Sequence, residues 1–377
     1  MRLMLVVSEM GVGGAERVVV ELARAAVERG DAVTVLADRG RLDRELEPLG
    51  VARAPLARAR TSRALARATL SGARLVRRFR PDVIHSHNVR VTAIARAAAH
   101  LGVPGGRPPL LATYHGVPAD EAGRAARVLR AADSVVCVSE GLRRELIAGG
   151  LPGSRVTVVE NGVPPASPLG DGVRERIDRE LGLGPGPVIA AVGRLAPQKA
   201  HSRLLEAAAL VHAERTDVQF VIVGDGPLRA DLEAHAARLG IEQAVRFTGV
   251  RDDAPQIIAR ADMLAFSSDW EGLSIAALEA LAAGVPIVST EVAGTRELLA
   301  TGAGVAVEHD PRSLGRAILD LIRDPERRVL LGQRGRALHE ERFSSRAMAD
   351  CYIRIYHDLI ERRGGSRSSL ATDGSNL

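Results

Sequence analysis

The chain has 377 residues, of which 46% are hydrophobic, 26% charged and 2% aromatic, and its formal net charge is +5. This composition excludes a disordered chain, and the length predicts about two domains. The two cysteines, Cys137 and Cys351, lie too far apart for a disulfide framework or a zinc motif, and no apolar stretch reaches the roughly 18 residues of a membrane-spanning helix. We therefore expect a cytoplasmic protein.

Short apolar runs alternate with helical patterns along the whole chain, as expected for parallel sheets with helical crossovers. The runs predict strands at residues 3–7, 32–37, 82–85, 110–114, 134–138 and 156–159, and again at 188–193, 218–224, 245–248, 262–266, 285–289 and 304–307. A Pro/Gly-rich connection separates the two sets. The sequence predicts an α/β protein with two doubly wound, Rossmann-like domains at residues 1–168 and 187–345. A C-terminal helix at 346–363 would cross back to the first domain, and residues 364–377 would form a disordered tail.

The first strand runs into a glycine-rich turn, Gly11-Val12-Gly13-Gly14, which opens a helix. Backbone N–H groups at such a turn suit a phosphate or a sugar oxygen. With Asp38 as a ribose-binding acid, the turn is similar to a dinucleotide fingerprint and would indicate an NAD(P)-dependent oxidoreductase. Glu16 stands where the third glycine belongs, which argues against pyrophosphate there. A tight turn without any ligand is the alternative.

Lys199 is the only lysine among 51 basic residues. It follows Arg194 by five positions, in the segment that begins where a predicted strand ends. A guanidinium fork and a compact ammonium at a strand end match the charge of a diphosphate. Two solvated surface cations are the alternative.

Residues 275–283 are apolar except for Glu279, and Ser274 and Gly284 are suited to begin and end a helix there. The pattern predicts a buried helix with Glu279 as a buried carboxylate, which needs donors or a cation. A ribose diol would supply two hydroxyl donors, and Arg296 is the alternative partner.

Glu271 precedes the same helix, beside the backbone N–H groups of Gly272 and Leu273. Those N–H groups belong to a helix start and have no partner within the helix. We expect Glu271 to accept hydrogen bonds from sugar hydroxyls.

Taken together, these motifs resemble the retaining nucleotide-sugar glycosyltransferases of family 4, which have the GT-B fold. The resemblance extends to about residue 360 and rests on Gly13-Gly14-Ala15-Glu16, His85-Ser86-His87, His115-Gly116, Asn161-Gly162-Val163, Gly193-Arg194, Lys199, Val223 to Pro227, and the pair Glu271 and Glu279 with seven residues between them. Pro164 and Ala293 depart from the family pattern, which often has Asp and Gly there.

The resemblance implies a role for each matching position. Arg194 and Lys199 would hold the donor diphosphate, Glu279 the ribose, and Glu271 with Gly272 and Leu273 the transferred sugar. Gly224 and Val250 would lie on the nucleotide side. Gly14 would approach the phosphate or the sugar from the other domain, and His115 would lie near the anomeric carbon.

The implied reaction moves a sugar, with retention, from a UDP- or GDP-sugar to a hydroxyl acceptor, which we expect to be lipid-linked or a cell-surface glycan precursor. No cofactor and no metal are expected. The rival readings are an NAD(P)-dependent oxidoreductase, a GT-B sugar-nucleotide epimerase, and a membrane-associated scaffold that binds sugar nucleotides without turnover.

Three histidines, His85, His87 and His115, follow or end predicted strands. They could form a metal site, but the sequence shows no nearby acids to orient them as ligands, and we predict no metal. His87 is assigned to the acceptor side. A structural role for His115 is the alternative to a role in the site.

Residues 51–100 contain 11 arginines and one acid, Asp82. Arginines at intervals of three, four or seven predict one basic helix face, made of Arg60, Arg63, Arg67, Arg74 and Arg78. This face could hold a phosphate-bearing acceptor or lie on an anionic bilayer at the inner face of the plasma membrane. A solvated basic face is the alternative. Phe79 is the only aromatic residue in the stretch, which disfavours nucleic acid.

Overall fold

The computed structural model describes residues 1–56, 61–104 and 106–372. The strands are β1 Arg2–Glu9, β2 Ala32–Asp38, β3 Ala52–Ala54, β4 Val83–His87, β5 Leu110–Tyr114, β6 Ser134–Cys137, β7 Val156–Val158, β8 Val188–Val192, β9 Gln219–Val223, β10 Val245–Gly249, β11 Met263–Phe266, β12 Ile287–Thr290 and β13 Gly304–Val307.

The helices alternate with these strands. They are α1 Gly14–Glu28, α2 Asp43–Leu46, α3 Ser62–Phe79, α4 Val89–Gly102, α5 Ala122–Leu129, α6 Glu140–Ala148, α7 Asp171–Leu181, α8 His201–Glu214, α9 Arg229–Arg238, α10 Ala254–Arg260, α11 Ile275–Ala283, α12 Ala293–Leu298, α13 Pro311–Arg323, α14 Pro325–Arg342 and α15 Ser345–Thr372. No helix in the described part of the chain is both long enough and apolar enough to span a bilayer.

Each of two compact units contains one parallel sheet. The sheet of the first unit has the strand order β3-β2-β1-β4-β5-β6-β7, and that of the second has β10-β9-β8-β11-β12-β13. The direction of winding reverses between β1 and β4 in the first sheet and between β8 and β11 in the second. In doubly wound sheets, ligands bind at this switch point, outside the carboxyl ends of the strands. The fold is therefore the predicted pair of Rossmann-like sheets.

The core of the second unit lies between its sheet and the helices α8 and α13. It includes the buried side chains of Ile189, Leu204, Phe220 and Ile318. Leu195, fully buried in the same core, anchors the loop that follows β8. The segment between Arg194 and Lys199 is thereby fixed to the sheet below it.

The unit boundaries differ from the predicted ones. The first unit contains residues 1–161 and the C-terminal segment from Ser345, and the second contains Gly162–Ser344. Residues 162–168 join the second unit because the Val163 N–H donates to the Phe343 carbonyl at 2.9 Å and Val163 pairs with Ser344. α15 returns to the first unit, where it packs on α1 and β4.

α15 ends at Thr372, and the disordered tail that the sequence predicts at residues 364–377 stays a prediction. Residues 373–377 lie outside the described part of the chain.

Candidate active site

Two loops flank the switch point of the second sheet, one after β8 and one after β11. The Ser267 hydroxyl donates to the Lys199 carbonyl at 2.8 Å, and the Asp269 N–H donates to the Gln198 carbonyl at 2.9 Å. The Gln198 amide group donates in turn to the Trp270 carbonyl at 3.0 Å. The strand ends bring these loops together because β8 and β11 are neighbours. The hydrogen bonds then hold the two loops as one surface.

Lys199 and Glu271 form an ion pair between these two loops. The pair is largely removed from water, since the Lys199 side chain is 16% exposed and that of Glu271 is 8% exposed. The Ser268 hydroxyl donates to the same carboxylate oxygen, Oε1, at 2.7 Å. The Lys199 ammonium also lies 5.9 Å from the centre of the Phe266 ring. The sequence predicts both charged residues as site residues, but their pairing is a finding of the structure.

Glycines let these loops approach one another. A Cβ at Gly193 would lie 3.0 Å from Cε of Lys199, so the lysine stem runs directly over this glycine. Gly224 has φ +140°, and a Cβ there would overlap the Gly193 carbonyl. The Gly224 N–H donates to the Gly249 carbonyl at 2.9 Å. This bond places Gly224 next to the end of β10, directly before Val250.

Gly294 fixes the loop that carries Glu271. A Cβ at Gly294 would overlap the Gly272 carbonyl, so the first turn of α12 touches the backbone of that loop. The Thr290 hydroxyl supports the same loop by donating to the Ser268 carbonyl at 2.7 Å. Ala293 departs from the family pattern, but the next residue, Gly294, which contacts the Gly272 carbonyl, is a glycine.

Glu279 is half-buried, so the predicted buried carboxylate is in fact partly exposed. α11 buries most of its surface, but Ile275, Glu279 and Ala283 are only partly buried. Four-residue spacing puts these three on one stripe of the helix. Arg296, the alternative partner for Glu279, pairs with Glu291 at 2.8 Å. The Glu279 side chain is therefore partly accessible to solvent.

α11 begins and ends at the predicted residues, but only its C-terminal cap has the expected geometry. Gly284 ends the helix with φ +71°, as predicted. Ser274 occupies the N-cap position without a side-chain cap hydrogen bond. Gly272 and Leu273, which precede it, are buried in the loop beside Glu271.

Arg194 is exposed at the start of the β8 loop, unlike Lys199 at its end. Ala200, directly after Lys199, has φ +44°, a left-handed conformation that is strained for alanine and is often found at functional sites. His201 is buried at the first position of α8, and burial, helped by the Lys199 charge, lowers its pKa to about 4. Its imidazole is therefore neutral near pH 7 and adds no positive charge beside Lys199.

Sequence reasoning missed three residues of this edge. Ser268 holds the Glu271 carboxylate, and Arg203 donates to the Ser267 carbonyl and to the Asp269 carboxylate, the latter at 2.8 Å. Ser267 links the two loops. The run Ser267-Ser268-Asp269 at a strand end was a usable signal, whereas the contribution of Arg203 from α8 was not visible in the sequence.

In the first unit, the glycine-rich turn opens α1 as predicted, with Gly13 as N-cap and Gly14 as the first helical residue. A Cβ at Gly13 would overlap the Glu16 carboxylate, which therefore lies against the turn. Burial, and secondarily the charge of Glu9, raises the pKa of Glu16. A carboxylate at this helix start occupies the position that favours anions, which disfavours a pyrophosphate there.

The three histidines lie together at the carboxyl edge of β4 and β5. His87 and His115 are stacked with ring centroids 5.7 Å apart, and Nδ1 of His87 lies 3.4 Å from Nε2 of His115. Both ring nitrogens of His85 are taken, at 2.7 Å each, by Tyr356 and Thr113. No group of side chains suited to hold a metal ion occurs within residues 1–56, 61–104 and 106–372.

The basic helix face is present on α3. Arg63, Arg67, Arg74 and Arg78 are exposed, whereas Ala68, Gly72, Ala73 and Val76 are buried. Leu65 and Leu70 are also exposed. Arg60, the fifth arginine of the predicted face, lies outside the described residues.

Comparison with known proteins supports the same family for both units. Residues 12–167 match the family model described as Glycosyltransferase Family 4, and residues 173–338 match that described as Glycosyl transferases group 1. The chain is 28% identical over 354 residues to the lipopolysaccharide core biosynthesis glycosyltransferase LpsE of Rhizobium meliloti, which covers 91% of this chain and 95% of that protein. It is 35% identical over 174 residues to a GDP-mannose-dependent monoacylated alpha-(1-6)-phosphatidylinositol monomannoside mannosyltransferase of Corynebacterium glutamicum, a match that covers 44% of this chain and 45% of that protein.

A solved structure shows the same fold. The Anabaena protein Alr3699/HepE, crystallised with UDP and glucose, has a TM-score of 0.82 at 21% identity and covers 95% of this chain and 100% of its own. The NAD(P)-dependent oxidoreductase reading is not supported, in agreement with the position of Glu16. The two parallel sheets, the strand-end site and the two family models together place this chain in the group 1 glycosyltransferases of family 4, with the GT-B fold.

Proposed function

We propose that the protein is a retaining glycosyltransferase that moves a sugar from a UDP- or GDP-sugar to a hydroxyl acceptor. The observation that carries the proposal is the Lys199–Glu271 pair, held at the β8/β11 switch point on the loop that also carries the exposed Arg194. A diphosphate needs cations, and a sugar needs hydrogen-bond acceptors. The two loops provide both within one surface.

Each donor contact is assigned to a residue of this edge. Arg194 and Lys199 neutralise the diphosphate, and the half-buried Glu279 accepts from the ribose. Glu271, with the backbone of Gly272 and Leu273, holds the transferred sugar. The nucleotide side is formed by Gly224 and Val250, at neighbouring strand ends. HepE was crystallised with UDP, which supports a nucleotide donor.

The proposed step is a front-face displacement. The bond between the anomeric carbon and the diphosphate oxygen breaks, and the acceptor oxygen forms its bond on the same face. The proton of the acceptor hydroxyl passes to the leaving phosphate oxygen, so that charge and atoms balance. Fixed cations stabilise the developing charge of the leaving group, which is commonly a large catalytic contribution. Arg194 and Lys199 supply this charge, and we expect turnover to persist in EDTA.

In the first unit, we assign Gly14 and His115 to the sugar and phosphate side. His87, which the sequence assigns to the acceptor side, is fully buried and is not in reach of an acceptor. We further propose that the acceptor is lipid-linked and is met at an anionic bilayer through the exposed arginines of α3, which are interspersed with exposed leucines. Each basic residue near such a surface contributes about 1 kcal/mol.

Liposome binding tests the membrane proposal. Reversing two charges on α3 with Arg67→Glu/Arg74→Glu should weaken binding to phosphatidylglycerol vesicles at least about tenfold. The same charge change on another exposed helix, Arg327→Glu/Arg334→Glu on α14, is the matched control. Equal weakening by both variants would show that only net charge matters.

The catalytic proposal is tested by thermal shift with UDP, GDP, their sugars and NAD, followed by turnover of the best ligand. We expect stabilisation by a nucleoside diphosphate and release of the sugar as the same anomer, detected by NMR. Epimerised nucleotide sugar would indicate the epimerase, and binding without turnover would indicate the scaffold. If no nucleotide sugar stabilises the protein, the proposed function is wrong.

A further inference from the structure

A buried polar network lies behind His115 in the first unit. His85 and His87 alternate with Ser86 on β4 and so share one face of the sheet, and Thr113 and His115 have the same spacing on and after β5. Tyr352 and Tyr356, four residues apart on α15, cover this face and are fully buried. The C-terminal helix is therefore part of the packing that surrounds the histidines.

Hydrogen bonds run through this network in a single chain. The Tyr356 hydroxyl lies 2.7 Å from Nδ1 of His85, whose Nε2 lies 2.7 Å from the Thr113 hydroxyl. That hydroxyl lies 3.0 Å from the hydroxyl of Tyr352. A neutral imidazole has one donor and one acceptor nitrogen, and both nitrogens of His85 are used. The His85 ring is thereby fixed, and the His87 ring packs on it with a centroid distance of 4.0 Å.

His87 connects this fixed ring to His115. Its Nδ1 lies 3.4 Å from Nε2 of His115, and its own Nε2 is buried without a hydrogen-bond partner among the described residues. His87 is fully buried, whereas His115 is partly exposed. A ligand can therefore reach His115 but not the far side of His87.

The orphaned nitrogen decides the direction of the bond between the two rings. If His115 donated from Nε2, the proton of His87 would lie on its buried Nε2 and would have no acceptor. If His87 donates from Nδ1, the buried Nε2 is a bare lone pair. A buried N–H without an acceptor is rarer than an under-satisfied acceptor, so the second arrangement is favoured.

We propose that His87 is a positioning residue that donates from Nδ1 to Nε2 of His115 and so holds His115 as its Nδ1–H tautomer, while Tyr352 and Tyr356 of α15 hold the ring of His85 beneath it. His115 then presents an N–H donor to the ligand. It acts on a sugar or phosphate oxygen as a hydrogen-bond donor and takes no proton from the acceptor. This role in the reaction rests on the proposed function, but the tautomer does not.

The surroundings are consistent with neutral rings. Burial, with the neighbouring histidines, lowers the pKa of His85 and His87, and burial lowers the pKa of His115 to about 4. The groups packed against His85 and His87 from α15 are Tyr352 and Tyr356, whose pKa values burial raises. All of these groups are uncharged near pH 7.

The test is to measure the tautomer of His115 directly, by long-range ¹H–¹⁵N NMR of the full chain with labelled histidine. We expect a protonated Nδ1 and a bare Nε2 in the wild type. His87→Asn keeps an amide N–H near the position of Nδ1 and is the conservative control, whereas His87→Leu removes the donor. We expect the Asn variant to keep the wild-type tautomer and the Leu variant to lose it.

Activity provides the second readout. His87→Leu should lower kcat about tenfold, the effect of one hydrogen bond, with the donor KM unchanged, and His87→Asn should recover most of this loss. If His87→Leu does not fold, Tyr356→Phe is used instead, since it removes only the hydroxyl that bonds Nδ1 of His85. We expect this variant to show His85 as a mixture of its two tautomers and to lower kcat a few-fold. A protonated Nε2 on wild-type His115, or the same tautomer in the Asn and Leu variants, would overturn the proposal. Failure of every donor to bind would refute the proposed function and leave the tautomer result standing.

Discussion

The ion pair between Lys199 and Glu271 makes a non-additive prediction. Lys199→Met removes the cation from the Glu271 carboxylate, which is 8% exposed, and leaves it the hydrogen bond from the Ser268 hydroxyl. Glu271→Gln keeps an oxygen that both Lys199 and Ser268 can use. The double variant, Lys199→Met/Glu271→Gln, leaves no charge without its partner. We therefore expect the double variant to be more stable than Lys199→Met alone.

The magnitudes follow from the burial of the pair. Removing one partner of a buried ion pair costs about 3–5 kcal/mol, and we take the low end, about 3 kcal/mol, for Lys199→Met because the lysine is 16% exposed. Glu271→Gln replaces charged hydrogen bonds by neutral ones, at a cost of about 1–2 kcal/mol. The double variant should cost about 1–2 kcal/mol, which gives a coupling energy of about 2–4 kcal/mol.

Trp270 makes the measurement specific to the second unit. It is the only tryptophan of the chain and precedes Glu271 directly, so its fluorescence during urea unfolding reports on this unit. UDP affinity, measured by titration, should fall about 10–100-fold in both variants that lack Lys199 and should persist in Glu271→Gln. The reasoning is refuted if the destabilisation of the double variant equals the sum of the two single variants within about 0.5 kcal/mol. Unchanged UDP affinity in Lys199→Met would refute the link between the pair and the diphosphate site.

Three further predictions follow. Gly294→Ala should shift the Glu271 loop, lower the free energy of unfolding by about 1–3 kcal/mol and abolish donor turnover. The control is Gly123→Ala on α5, where a Cβ meets open space, and it should be neutral or slightly stabilising. Equal effects of the two variants would show that the close contact of Gly294 with the Gly272 carbonyl is unimportant. Arg194→Met should weaken UDP about tenfold and leave the urea midpoint unchanged, since Arg194 is exposed, with the exposed Arg312→Met on α13 as control. Because burial lowers the pKa of His85, His87 and His115 below the unfolded value of about 6.5, the unfolded chain binds more protons in acid. Stability should be full above pH 6.5 and fall below it, by up to about 1.4 kcal/mol per pH unit for each histidine, and a flat urea midpoint between pH 7.5 and 5 would contradict this.

The sheets could be predicted well from the sequence because parallel strands are nearly continuous apolar runs. The predicted strands at 110–114 and 304–307 have the bounds of β5 and β13, and no end of the other predicted strands lies more than two residues from the observed end. β3 was missed. Its three residues, Ala52–Ala54, contain an arginine and no apolar run, and they form a strand only because β2 offers an open edge. Such a short edge strand depends on tertiary structure.

Glu279 shows why burial was harder to predict than position. The sequence places this residue on α11 correctly, but a helix rich in alanine looks apolar on every side. The partly open stripe contains Ile275 and Ala283 as well as Glu279, so hydrophobic periodicity gives no sign of it. Only the packing of α10 and α14 around α11 determines which side stays open.

The pairing of Lys199 with Glu271 depends on information that no local pattern holds. Each residue was predicted from its own strand end, but 72 residues separate them, and their contact requires β8 and β11 to be neighbours. The structure also explains why one lysine persists in a chain that otherwise uses arginine. The stem of Lys199 lies over Gly193, and its ammonium meets Glu271 near the Phe266 ring. A compact ammonium on a slim stem suits this position, whereas the planar guanidinium of arginine would need more width and more acceptors than Glu271 alone provides.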